Sequence, residues 1–404
     1  MTIVRGAGEA WDCRNYDPVT YRAEILAERQ ERFATSFDVA FVTGVGGTDI
    51  DCMALATSSG QVRVYPVKDT MVAWVNRGAS GEPAATWTAH SGAAYCIAVL
   101  GAGLDALLLS GGDDGFVRAW CMRDIMLQAA GSKPPAPAWQ ARIPRAEGLW
   151  GGGGPAPGVV SCVLSHRRGS SSLLIVGASD GGLYALDAAT GGPPGGGRGA
   201  GAAAAACAPL RSFPGHAAGV QSVDACASSG LVASGSEDGT VRLWDARAPG
   251  ASACTSVINP WCGEELPVSA AAQQLHCAAG PYVSAVKFAA GGGWLLAGTG
   301  NSALTLWSLT LGVLAKQTST PIVPQAIESV PGDVLVAGAG PAVLRYRFSA
   351  LESDPTEHPV SVRSAYGLAV HPSTGSVAVA GAGGLDLLSS QGARLGAVWP
   401  ASAD

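Results

Sequence analysis

Residues 215–247 read GHAAGVQSVDACASSGLVASGSEDGTVRLWDAR. In 220–225 and 231–236, apolar and small residues alternate with polar ones, the period of strands with one face in a core. Asp238-Gly239 supplies a tight turn, because glycine accepts the positive φ that such a turn demands. It leads into a third run, Val241-Arg242-Leu243-Trp244. Three antiparallel strands follow from these residues alone. The block has a second copy upstream. Counting back four residues from Asp114 reaches Ser110, counting on six reaches Trp120, and His90 precedes them within TAHSGAAYCIAVL. The same offsets join Ser234, Asp238 and Trp244 behind His216.

A Gly-His opening, two alternating runs, an acidic-Gly turn and a Trp-Asp ending make up the WD-repeat pattern. In proteins with that pattern the four residue types form one hydrogen-bonded chain. The resemblance implies such a tetrad for His90, Ser110, Asp114 and Trp120, and another for His216, Ser234, Asp238 and Trp244. Burying polar groups beside a core costs roughly 1–3 kcal/mol for each one left unpaired, so a complete chain offsets a penalty that a broken one leaves standing. Blades with broken tetrads should be weaker.

With Trp244 as anchor, equivalent strand endings occur at Tyr65 (QVRVY), Trp120 (FVRAW), Leu186 (GLYAL), Trp307 (ALTLW), Tyr346 (AVLRY) and Leu388 (GLDLL). Seven anchors predict an all-β, seven-bladed WD40 β-propeller. Only the last two intervals fall near the ~40–45 residues usual per blade. The surplus is expected in irregular insertions near 131–157 and 191–206, rich in Gly, Pro and Ala, and near 252–279, where strand alternation is missing. Residues 393–399 (ARLGAVW) are the candidate fourth strand of the last blade. The division expected is an N-terminal arm, 1–36, with a short amphipathic helix over 20–32 (TYRAEILAERQER), then the propeller, 37–400.

Composition narrows the function. Hydrophobic residues are 48% and charged ones 14% of the 404, which indicates a large core rather than disorder. A net charge of −6 disfavours broad attachment to phosphate backbones or anionic lipid, so direct RNA binding is not expected. The ten cysteines include no Cys-x-x-Cys pair, and the simplest reading is a reduced intracellular protein. No signal-like segment or eighteen-residue apolar run suggests a membrane.

Two enzyme-like strings tempt and mislead. Gly177-Ala178-Ser179-Asp180-Gly181 spells the G-x-S-x-G nucleophile elbow, and Gly298-Thr299-Gly300-Asn301-Ser302-Ala303 approximates a dinucleotide fingerprint. Each chemistry requires a helix next, and each string runs into a strand-like segment instead. Of the six histidines, His90 and His216 are assigned to tetrads; His166, His276, His358 and His371 are expected in loops or facing solvent rather than on a metal. No catalytic, cofactor-binding or metal site is expected.

Several strings go beyond the general repeat: TWTAHSGAAYCIAVL with LLLSGGDDGFVRAW, the GHAAGV-to-WDAR block, WLLAGTGNSALTLWSL, and a C-terminal half whose WD signatures are eroded. Together they resemble the THO complex subunit 6 family over roughly residues 21–399, insertions excluded. The resemblance implies a nuclear, non-catalytic scaffold that joins the coiled-coil THO subunits 5 and 7 and couples transcription to mRNA processing and export within TREX. Similar plant proteins are also linked to cullin-4 ubiquitin ligases through a Trp-Asp-x-Arg ending. Here that ending is Trp244-Asp245-Ala246-Arg247, with Arg247 the residue an adaptor would read. Asp and Arg after the Trp also form local turn contacts in ordinary blades.

Overall fold

Runs such as Leu107–Gly112 and Asp333–Gly338 are almost continuously apolar or small, as strands buried on both faces must be. They are second strands of their sheets, and every anchor lies in the third, from Tyr65 in Gln61–Pro66 to Leu388 in Gly384–Leu388. The computed structural model describes residues 3–4, 10–11, 19, 22, 34–44, 50–128, 135–144, 160–168, 171–191, 207–226, 228–248, 250–266 and 281–399. Within them stand a small antiparallel pair, Ile3–Val4 with Ala10–Trp11, and seven larger antiparallel sheets, each built from strands consecutive in the chain. The first strands are Ser36–Thr43, Ala94–Leu100, Val160–Arg168, Val220–Ala225, Val283–Ala289, Pro324–Val330 and Ala365–Val370, for blades 1 to 7. They neighbour one another in cyclic order, the seventh returning to the first.

The core is correspondingly divided into seven, one cluster between each pair of adjacent blades. Trp87 and Trp120 meet edge to face between blades 1 and 2, with ring centroids 5.4 Å apart. Trp244 lies between blades 3 and 4, Trp307 between 4 and 5, and Tyr346 between 5 and 6. The cluster that makes the ring a ring joins Met53, Leu55 and Tyr65 of blade 1 to Ala378, Leu385 and Leu387 of blade 7. Closure leaves no long unpaired edge within the ring.

Blade 7 completes itself with Arg394–Val398, so no N-terminal strand is exchanged into it. Helix α1, Val67–Arg77, holds the junction from outside, although it was not read from the sequence. It follows the third strand of blade 1, begins with Asp69 in its first turn and stops at Gly78, which adopts the left-handed conformation (φ 60°). Val67 and Thr70 are buried, and Trp74 packs edge to face on Trp399 at 5.7 Å. The Gly81 N–H donates to the Ala397 carbonyl (3.0 Å) and the Trp399 N–H to Ser80 Oγ (3.0 Å). Gly396 leaves room for the helix, since a Cβ there would lie 3.1 Å from Thr70 Cγ2. At the same seam His371 is in a loop, as expected, yet buried. Its Nδ1 accepts the N–H groups of Ser373 and Thr374, so the proton sits on Nε2 and is donated to Asp51 (3.0 Å).

Part of the surplus between anchors is ordered structure rather than insertion. α1 and a second helix, α2 (Met122–Gln128), account for some of it. Trp139–Arg142 is the fourth strand of blade 2, inside the expected insertion 131–157. Cys254–Asn259 is the fourth strand of blade 4 and Glu264–Leu266 a fifth, both inside 252–279. Trp139–Arg142 is only four residues long, and Cys254–Asn259 buries the adjacent Val257 and Ile258 together, so neither shows a run of alternation to read. The insertion 192–206 lies outside the described residues, as does the expected helix over 20–32 apart from Arg22, which is helical like Val19 beside that stretch.

Candidate functional site

The four residues named for blade 4 meet. The Trp244 indole N–H donates to Ser234 Oγ (2.8 Å), the Ser234 hydroxyl donates to His216 Nε2 (2.7 Å), and His216 Nδ1–H donates to Asp238 (2.8 Å). In blade 2 the corresponding distances are 3.1 Å for Trp120 to Ser110, 2.8 Å for Ser110 to His90 and 2.9 Å for His90 to Asp114. Burial pushes His216 below the usual histidine range, which keeps it neutral and able to relay both bonds. Burial alone would raise Asp238; His216, Thr240 and the Ala217 N–H outweigh it and hold the carboxyl well below its ordinary range. Asp114 is lowered in the same sense against its burial, by His90 and by Arg118 at 2.7 Å.

In blades 5 and 6 the tetrad is incomplete, and its missing serine is legible. Ten residues before each anchor, Ser110 and Ser234 supply hydroxyls, whereas Trp307 is preceded by Ala297 and Tyr346 by Val336. Trp307 Nε1 and the Tyr346 hydroxyl are accordingly buried without a hydrogen-bond partner. Blade 3 fixes its turn differently, the Tyr184 hydroxyl donating to Asp180 at 2.5 Å.

At the rim of blade 4, Arg247 is 58% exposed and forms a two-pronged ion pair with Asp245, its Nε and one terminal nitrogen each 2.7 Å from a carboxylate oxygen. Trp244 itself is buried, so Asp245 and Arg247 are the parts of the Trp-Asp-x-Arg ending that a partner could reach. The two enzyme-like strings are turns. Gly181 N–H donates to Ala178 O before strand Leu183–Asp187, and Ser302 N–H to Thr299 O before Ala303–Ser308. No helix start faces either string. Among the described residues no group of three His, Cys, Asp or Glu could hold a metal ion, and no helix is long and apolar enough to cross a membrane.

What the sequence reading missed is the mouth of the central channel. In all seven blades the pairing of first and second strands shifts after the first residue, a β-bulge repeated in the same place. The residues skipped are Phe37, Tyr95, Ser161, Gln221, Ser284, Gln325 and Tyr366, and a bulge re-aims its side chain. Those of blades 1, 2 and 4 to 7 line a cavity of about 200 Å³. Deeper in it, Lys287 Nζ lies 3.0 Å from Glu328 and 3.6 Å from Asp224. Burial would lower the ammonium, but the two carboxylates outweigh it and keep Lys287 charged. The only local signal was the small or apolar residue opening each first strand.

Blades 2 and 4, with their complete tetrads, are also where a family model fits: that of the WD domain, G-beta repeat, at residues 81–121 and 207–245. Among solved structures, the WD40 β-propeller domain of Doa1 superposes with a TM-score of 0.56, covering 86% of this chain and 90% of that one at 14% identity, which speaks to fold alone. Among curated proteins, THO complex subunit 6 of Arabidopsis thaliana is 28% identical over 398 residues, 95% of this chain and 97% of its own length. The chain is a WD40-repeat propeller resembling THO complex subunit 6. The alignment with that THO subunit runs through eroded and intact WD40 blades alike.

Proposed function

We propose that this WD40 propeller is a non-catalytic scaffold subunit of a THO/TREX-like complex in the nucleus, coupling transcription to mRNA processing and nuclear export by binding other proteins. The observation that carries the reading is the end-to-end match to a THO subunit, 95% of one chain against 97% of the other. The fold supports it: a rigid ring offers recognition surface on both faces and at its rim, and the named polar clusters are occupied in holding blades together. The expected partners are the coiled-coil THO subunits 5 and 7. Affinity purification from nuclear extract tests this, and recovery of the intact chain without any THO subunit would sink it.

A second reading, a substrate receptor for a cullin-4 ubiquitin ligase, is favoured by the exposure of Arg247. Since Asp245 occupies its guanidinium, an adaptor would have to compete with that pair. Arg247→Ala should abolish adaptor capture without lowering the melting temperature, and undiminished capture would remove this reading.

A further inference from the structure

The bulges of blades 1, 2 and 4 to 7 set unlike side chains round one mouth. Across blades 7, 1 and 2 they form an aromatic arc: Phe37 lies 5.2 Å from Tyr95 and 5.7 Å, edge to face, from Tyr366. Burial and the nearby Asp113 carboxylate push the Tyr95 hydroxyl up, and Tyr366 is 40% exposed. Among the described residues the charged lining below the arc is Asp38, Asp224, Glu328 and Lys287, and Lys287 sits on the latter two carboxylates. Asp38 is placed directly behind Phe37, where its oxygens accept the backbone N–H groups of Val39 (2.8 Å) and Ile97 (2.9 Å).

We propose that this mouth receives the side chain of a lysine or arginine from a partner polypeptide, its cationic head over the Phe37, Tyr95 and Tyr366 rings and turned toward Asp38. Ring faces attract a cation, and a cavity of about 200 Å³ admits a side chain rather than a folded segment. Among the described lining residues carboxylates outnumber ammonium groups, which disfavours an anionic head at the same place. Burial pushes Asp38 up to about 7, and an arriving cation restores its charge. The site rests on the bulge register and the lining residues, so it stands or falls apart from the THO reading.

The test uses the full chain and immobilised short peptide libraries, randomised except at a central residue fixed as Arg, Lys, norleucine or Glu. The Arg and Lys libraries should retain at least about tenfold more protein than the norleucine and Glu libraries, a difference of ~1.4 kcal/mol. Tyr366→Ala should bring retention on the Arg and Lys libraries down to the norleucine level with an unchanged melting curve. Asp38→Asn, which keeps an acceptor and removes the charge, should do the same. Equal retention of the norleucine and Arg libraries, no retention of any library, or a Tyr366→Ala variant that still discriminates would each overturn the proposal.

Discussion

At the scale of the residue, the indole of Trp244 and that of Trp307 have the same position in their blades but opposite polar fates. Trp244 donates to Ser234, and Trp307 has no partner. Trp244→Ala should cost about 3–5 kcal/mol, as for a large buried aromatic. The sharper comparison is to phenylalanine. Trp244→Phe forfeits a hydrogen bond, whereas Trp307→Phe removes an N–H whose unpaired burial already costs roughly 1–3 kcal/mol. Chemical denaturation should find Trp307→Phe the milder change by at least about 1 kcal/mol; equal costs would contradict the tetrad argument. Acid should act through the same residues. His216 is lowered in the folded state, so the unfolded chain takes up a proton first and stability falls as pH drops below ~6.5. Asp238 is lowered too, so its contribution is full above ~4 and is lost as pH falls through that range. Because Asp38, raised by burial, works in the opposite sense between about pH 7 and pH 4, the comparison that isolates Asp238 lies below about pH 4, where the wild-type melting temperature should fall more steeply than that of Asp238→Asn. Equal slopes there would contradict the Asp238 shift.

At the scale of the element, the seam between blades 7 and 1 depends on close approach. A Cβ on Gly367 would lie 2.7 Å from Asp38 Cα, backbone that cannot swing aside. Gly367→Ala should destabilise by about 1–3 kcal/mol, read from thermal or chemical denaturation. Helix α1 guards the outer edge of the same seam. Trp74→Ala should speed amide hydrogen exchange across Arg394–Val398 while leaving Val241–Asp245 of blade 4 protected. Exchange unchanged in Arg394–Val398 would mean the helix does not secure that strand. These elements also mark how far the sequence was legible. Third strands could be read because a turn and an aromatic or leucine end fix their register. Fourth strands such as Trp139–Arg142 and Cys254–Asn259 could not, the first being four residues long at its sheet edge and the second burying neighbouring residues on both faces without alternation. Helix α1 had a signal, Val67, Met71 and Trp74 at helical spacing before Gly78, but it lay hidden in what looked like a blade interval of excess length.

At the scale of the molecule, the blade count was legible because seven endings recur, and a ring is the architecture that buries such repeats against one another. The channel mouth was not, because its residues come from first strands far apart in sequence and only the shared bulge brings Phe37, Tyr95 and Tyr366 together. The proposed partners rest on the whole chain as well, since the likeness to a THO subunit runs over 95% of it rather than over one motif. The most direct measurement is co-expression of the full chain with the coiled-coil THO subunits 5 and 7, followed by size-exclusion chromatography with light scattering. A THO-type scaffold predicts one stoichiometric peak whose mass contains all three. Separate elution of a folded, monodisperse propeller from the coiled-coil subunits would contradict it.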